Sequence, residues 1–169
     1  MAHVISATTK FNHTGGVARA KSRAAKKPVG RVAAALRVDG AAIGRYYKLL
    51  EAAASLVVEA RNKLRSGDAQ QALEFAYWAG LRLAGARVAV SPVDKRRRKP
   101  ASAWEQLALV NKSGEQWAQL FQPYSRLSRE IGLGFNPEVS QLQVHALLKL
   151  VEELRAEVSV AVPEQYDAA

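Results

Sequence analysis

This sequence predicts an all-α, up-and-down bundle of four to five helices carrying a basic N-terminal arm, and three observations lead there. From about residue 40 to 160, apolar residues recur at steps of three, four or seven, the period of one helix face. No alternating run long enough for a useful strand occurs. The breaks between periodic segments are short and made of Gly, Pro, Ser, Asn and Asp, and short loops between long helices make neighbours antiparallel.

The division expected is a basic flexible arm over 1–39, a helical bundle over 40–162 and a short tail over 163–169. The arm has no sustained apolar period. Its stretch HTGGVARAKSRAAKKPVGR mixes Gly, Ala, Lys and Arg with little to bury, so it cannot offset its own ordering entropy. RVAAALRV, residues 31–38, is the exception: it can form one or two helical turns against a partner, with Arg31, Val32, Leu36 and Arg37 as the contacts.

The first helix begins after Asp39. Ile43, Tyr47, Leu50, Ala54, Val57 and Leu64 fall on one face, and Tyr46, Leu49, Ala53, Leu56 and Ala60 form a second apolar stripe beside it. Gly67 supplies a left-handed stop and Asp68 caps the next helix. That helix, about 69–90, is apolar almost all round, as a central bundle helix is. Ala76, Gly80 and Ala84 leave a groove in it for a neighbouring backbone. Pro92 and Pro100 break the chain in SPVDKRRRKP.

Ser102 is expected to cap a short third helix with Trp104, Leu107, Ala108 and Val110. Ser113 is expected to cap a fourth, with Trp117, Leu120, Phe121, Tyr124, Leu127 and Ile131 as its stripe and Pro123 bending or splitting it. In GLGFNPE, Gly132 and Gly134 read as a stop, then Asn136 as cap and Pro137 as the first helical residue. The last helix runs to about Val160 with Val144, Leu147, Val151, Leu154 and Val158 inward. The aromatics Phe75, Trp78, Trp104, Trp117, Phe121 and Tyr124 sit at core spacings, so Trp78 and Trp117 are expected to be largely buried.

Charge distribution says more than its total of +10. Residues 1–40 carry eight Lys/Arg against Asp39 alone, and Lys95, Arg96, Arg97, Arg98 and Lys99 add five in a row. The remaining 124 residues hold 12 basic and 14 acidic side chains, so the body is near neutral. Charge gathered in an arm and a loop points to a polyanionic partner. The contacts expected are Lys95–Lys99, helped by Lys21, Arg23, Lys26 and Lys27. They would meet phosphates of a nucleic acid or nucleoprotein with little sequence preference. An acidic protein surface docking the arm is the alternative, and solubilising an Ala-rich bundle is the plain one.

Other function classes find little here. The absence of cysteine removes disulfides, thiol catalysis and Cys-based zinc sites. His3, His13 and His145 are too scattered for a metal site, and no cofactor is expected. Glu152 and Glu153 are adjacent and so point about 100° apart on a helix. His145 shares the polar side of the last helix with Gln141, Lys149 and Glu152. No phosphate loop, nucleophile elbow or His-Glu-x-x-His motif occurs. No apolar window is long and uncharged enough for a membrane span. The acid-poor, hydroxyl-rich N-terminus shares its composition with organellar transit peptides, but it reads as a basic arm of a cytoplasmic protein.

The helices in order (YYKLLEAAASLVVEARNKL, DAQQALEFAYWAGLRLAGARVAV, a basic loop, SAWEQLALV, EQWAQLFQPYSRLSREIGLG) resemble the HEPN superfamily over about 43–158. The resemblance is to a small actinobacterial branch with an Arg-rich loop before a Ser-Ala-Trp-Glu helix start. It implies a four- or five-helix bundle, often a homodimer. Many members are metal-independent ribonucleases that use an Arg and a His four to six residues later. Here that motif is absent: the nearest arginine before His145 is Arg129. The resemblance then implies the family's other role, a non-catalytic module for nucleic acid, nucleotide or protein, with a degenerate ribonuclease as the remaining possibility.

Overall fold

A computed structural model describes residues 39–161 as five α-helices with no strand among them. They are α1 (Gly40–Arg65), α2 (Ala69–Ala89), α3 (Ala103–Ala108), α4 (Lys112–Gly132) and α5 (Gln141–Ser159), with a 3-10 turn at Pro92–Lys95. The all-α bundle expected from the sequence is the fold. Among the described residues no helix is long and apolar enough to cross a membrane.

α2 packs against each of the other four helices, which explains its apolar circumference. Leu73, Ala76, Ala79, Leu83, Ala84 and Ala86 are completely buried along it. α1 and α2 form an antiparallel hairpin. Gly67 turns it at φ +85°, Asp68 N–H bonds back to the Lys63 carbonyl at 3.0 Å, and the Asp68 side chain accepts from Gln71 N–H at 3.0 Å.

Of the two stripes on α1, the second is the core face. Tyr46, Ala53 and Ala60 are buried with Val57, whereas Tyr47 of the first stripe is exposed and Ile43, Leu50 and Ala54 are partly so. Small residues win because α2 lies close against α1. The Tyr46 hydroxyl then crosses the core to donate to the Val158 carbonyl at 3.0 Å, tying α1 to the end of α5.

The groove on α2 accepts a ring and not a backbone. Phe121 of α4 is completely buried and lies so close to Gly80 that a Cβ there would stand 2.6 Å from its Cε1. Trp104 of α3 stacks on Phe121 with centroids 4.3 Å apart and planes 19° apart. Its indole N–H donates to the Tyr77 hydroxyl at 3.0 Å, so the polar edge of a buried ring is satisfied. One α2–α3–α4 junction thus holds the aromatic core.

Four expectations need correction. α4 is capped by Asn111, whose side chain accepts from Gly114 N–H at 2.8 Å; the Ser113 hydroxyl is instead spent on Glu157 at 2.6 Å. α4 continues unsplit through Pro123, because Pro123 and Gln119, whose carbonyl loses its usual donor, both lie on the solvent face. α5 does not start at Asn136–Pro137. Its cap is Ser140 in a capping box with Gln143, and the Pro137 carbonyl accepts from Gln70 at 3.0 Å in the non-helical link before it. Last, Trp78 is 41% exposed and Trp117 half-buried. Trp78 lies on the side of α2 that no neighbouring helix covers.

Candidate nucleic-acid interface

Residues 90–102 connect α2 to α3, and their ends are anchored before their charges are presented. Ser91, buried, donates to the Val88 carbonyl at 2.8 Å and accepts from Val93 N–H at 3.3 Å. Pro92 fits the first position of the 3-10 turn, where its missing N–H costs nothing. Val93 plugs into the core at 2% exposure. At the far end Gln106 donates to the Pro100 carbonyl at 2.7 Å, and Trp104 enters the aromatic junction.

Between those anchors Asp94 gathers two cations. Arg45 of α1 donates to its carboxylate at 2.5 Å, and Lys99 reaches it at 3.3 Å while also donating to the Asp94 carbonyl at 3.0 Å. The five-residue run is therefore drawn into a loop whose ends, Asp94 and Lys99, meet. Lys95, Arg96, Arg97 and Arg98 are exposed, and among the described residues none of them has an acidic partner within ion-pair range. Lys99 is exposed too but shared with Asp94. The other expected contacts, Lys21, Arg23, Lys26 and Lys27, and the partner segment Arg31, Val32, Leu36 and Arg37, lie outside the described residues.

A second basic surface is made only by tertiary packing. Arg61 and Arg65, one turn apart on α1, face His145 and Lys149 of α5 across a cavity of about 410 Å³ floored by Leu64 and Leu148. Arg61 pairs with Glu152, and Arg65 is held by Asn62 at 2.5 Å. His145 is exposed, as its place on the polar side of α5 implied. This cavity does not continue the loop. Arg45 and Arg61 are separated by roughly 24 Å along α1 and by about 160° around it, at 1.5 Å and 100° per residue.

Among the described residues three groups are shifted from their ordinary range, and none lies in either basic surface. Burial raises Tyr46, with Tyr47 adding to the rise and Arg87 opposing it. Burial also raises Tyr124. Glu74 of α2 is raised first by burial and then by the nearby Asp68. Among the described residues no three His, Asp or Glu side chains converge to hold a metal ion.

Sequence reasoning found the cationic run but missed what positions it. Asp94 was visible as the one acid beside five bases, yet its bond to Arg45 spans 49 residues and follows no local spacing. Arg61 and Arg65 were visible as a one-turn pair, without a sign that α5 would bring His145 opposite them.

An all-helical bundle of this order, with a cation-rich α2–α3 loop, defines a class of small helical domains. The family model of the SAV_6107-like HEPN domain matches residues 63–159, more than half of the chain, and the chain belongs to that family. No curated protein and no solved structure matches it.

Proposed function

We propose that this chain is a non-catalytic HEPN-type module that binds nucleic acid, free or in a nucleoprotein, through the α2–α3 loop. One observation carries the reading. Arg96, Arg97 and Arg98 stand exposed and, among the described residues, without an ion-pair partner on a loop fixed at both ends, while the acid nearest in sequence, Asp94, is committed to Arg45 and Lys99. Guanidinium forks match phosphate oxygens, and holding them on an anchored loop lowers the ordering cost of contact. Nothing in the run is suited to reading base edges in register, so affinity comes with little sequence preference. The non-catalytic part rests on the missing Arg–His spacing: positions 139–141, four to six residues before His145, are Val139, Ser140 and Gln141.

The test is the salt dependence of binding to duplex DNA, measured by fluorescence anisotropy. About four phosphate contacts give a slope of log affinity against log salt near −3.6, at roughly −0.9 per contact. Replacing Arg96, Arg97 and Arg98 together by Ala is expected to flatten the slope by about 2–3 units, equally on unrelated sequences. An unchanged slope in the triple variant sinks the reading. If affinity then disappears on removing 1–39, the arm is the grip; if affinity persists, the charge serves a protein partner or solubility.

A further inference from the structure

The three tryptophans are treated differently. Trp104 is 6% exposed with its N–H bonded to Tyr77, and Trp117 donates to Glu157 at 2.8 Å. Trp78 is 41% exposed, and among the described residues its N–H has no hydrogen-bond partner. Phe75 braces it edge-on, with centroids 5.5 Å apart and planes at 86°. Leu81 and Arg82 complete a surface cavity of about 370 Å³ beside it. A large ring held on one side, open on the other and flanked by a guanidinium has the form of a stacking platform.

Contacts connect this platform to the cationic loop. Asp94 meets Arg45; Arg45 and Leu49 lie one turn apart on α1; and Leu49 touches α2 at Gly85, 3.5 Å from where a Cβ would stand. Trp78, Arg82 and Gly85 are at i, i+4 and i+7, one face of α2 spanning roughly 10 Å. In this chain of contacts Arg45 comes next to the loop on α1, and Arg82 lies between Gly85 and Trp78 on α2. Glu74, one turn beyond, closes the far end with the opposite charge.

We infer that this face takes single-stranded nucleic acid in preference to duplex, with one unstacked base laid on Trp78 while the arginines hold the backbone. The inference rests on the phosphate-binding reading of the loop and adds the class of nucleic acid. A duplex keeps its bases stacked on each other and has none to offer the ring, whereas any single-stranded base presents a π-face.

The test uses the full chain and three labelled probes: a short oligouridylate, the same backbone without bases, and an RNA duplex of equal length. Trp78→Ala is expected to weaken the oligouridylate by about 5- to 150-fold, the usual value of one base–aromatic stack. Abasic and duplex affinities, and the salt slope, should stay as in the wild type, because no charge is removed. Trp78→Phe should retain most of the oligouridylate affinity. The Arg96/Arg97/Arg98 triple variant should weaken all three probes together, which separates failure of the loop from failure of the platform. Oligouridylate binding unaltered in Trp78→Ala, or equal losses on the abasic strand, overturns the platform. So does a wild-type dimer that Trp78→Ala converts to monomer without any base-dependent loss, since the ring would then belong to a contact between copies. If none of the probes binds the wild type, loop and platform fall together.

Discussion

The α2–α3–α4 junction and the loop that feeds it are neighbours in the chain built on opposite terms. At the junction position is everything: Phe121 fills the notch at Gly80, Trp104 lies flat on Phe121, and Gly114 sits against the Leu107 carbonyl with no room for a side chain. In the loop, charge is everything: Arg96, Arg97 and Arg98 are exposed and, among the described residues, have no acidic side chain in ion-pair range. The difference teaches that stability and the proposed binding are separable, because Val93 and Trp104 isolate the presenting segment from the packing it depends on.

The most direct way to break the comparison is at its packed end. Phe121→Ala empties a fully buried site, and such truncations cost about 3–5 kcal/mol. The resulting loss of denaturant midpoint should come with weaker nucleic-acid binding only to the extent that the protein unfolds. Gly114→Ala is the second cut. Its Cβ would be driven onto a backbone oxygen that cannot rotate away, so the cost should reach the upper part of the usual overpacking range, about 1–3 kcal/mol. A thermal melt of Gly114→Ala at wild-type temperature would show that α3 and α4 meet differently. The loop's triple Arg→Ala variant should do the reverse, moving stability by no more than about 0.5 kcal/mol while changing the salt slope.

Asp94→Ala sharpens the comparison, because it separates loop geometry from loop charge. Two partly exposed ion pairs are lost, and exposed pairs contribute about 0–1 kcal/mol each, so the melt should change little. Arg45 and Lys99 become available to a polyanion. Affinity should rise, and the salt slope should steepen by up to about 2 units at −0.9 per cation freed. If binding weakens instead, the closed shape of the loop matters more than its cation count.

What the sequence revealed follows the same division. Helix α2 was legible almost to the residue because Gly67 and Asp68 mark its start and Pro92 follows its end, and the body and end of α5 were legible from a long apolar period. The capping box of α5 was also written in the chain, as Ser140 and Gln143, but Asn136–Pro137 offered a start signal first. Pro137 lost because its carbonyl is engaged by Gln70, a contact 67 residues away. On α1 two adjacent stripes were equally apolar, and only the approach of α2 selects the one with Tyr46, Ala53 and Ala60. Trp78 was misread for a related reason. Helical spacing places a ring on a face but does not say whether another helix will cover it. The basic run and its adjacent Asp94 were the parts of the candidate site visible locally, while Arg45 joins them only through folding.

The smallest expected effect tests the far end of the proposed track. Glu74 has its carboxyl raised above the ordinary range, by burial first and by Asp68 second. A raised folded-state pKa means that the native protein holds this proton more tightly than the unfolded chain does. Its contribution is fully present below the unfolded carboxylate range and is lost as pH rises through the raised folded value. At neutral pH the ionised Glu74 is therefore a mild liability, softened by solvent because the side chain is only partly covered. Glu74→Gln keeps the shape and removes the charge. Its melting temperature should exceed that of the wild type slightly at neutral pH, and the gap should close in acid, where Glu74 is protonated in both states. The same substitution removes the negative charge one turn beyond Trp78, so a strand lying along this face should bind slightly better at neutral pH. A variant less stable than wild type at neutral pH would mean that the ionised carboxylate has a favourable partner. In that case Glu74 would belong with the packed part of the molecule and not with its charged face.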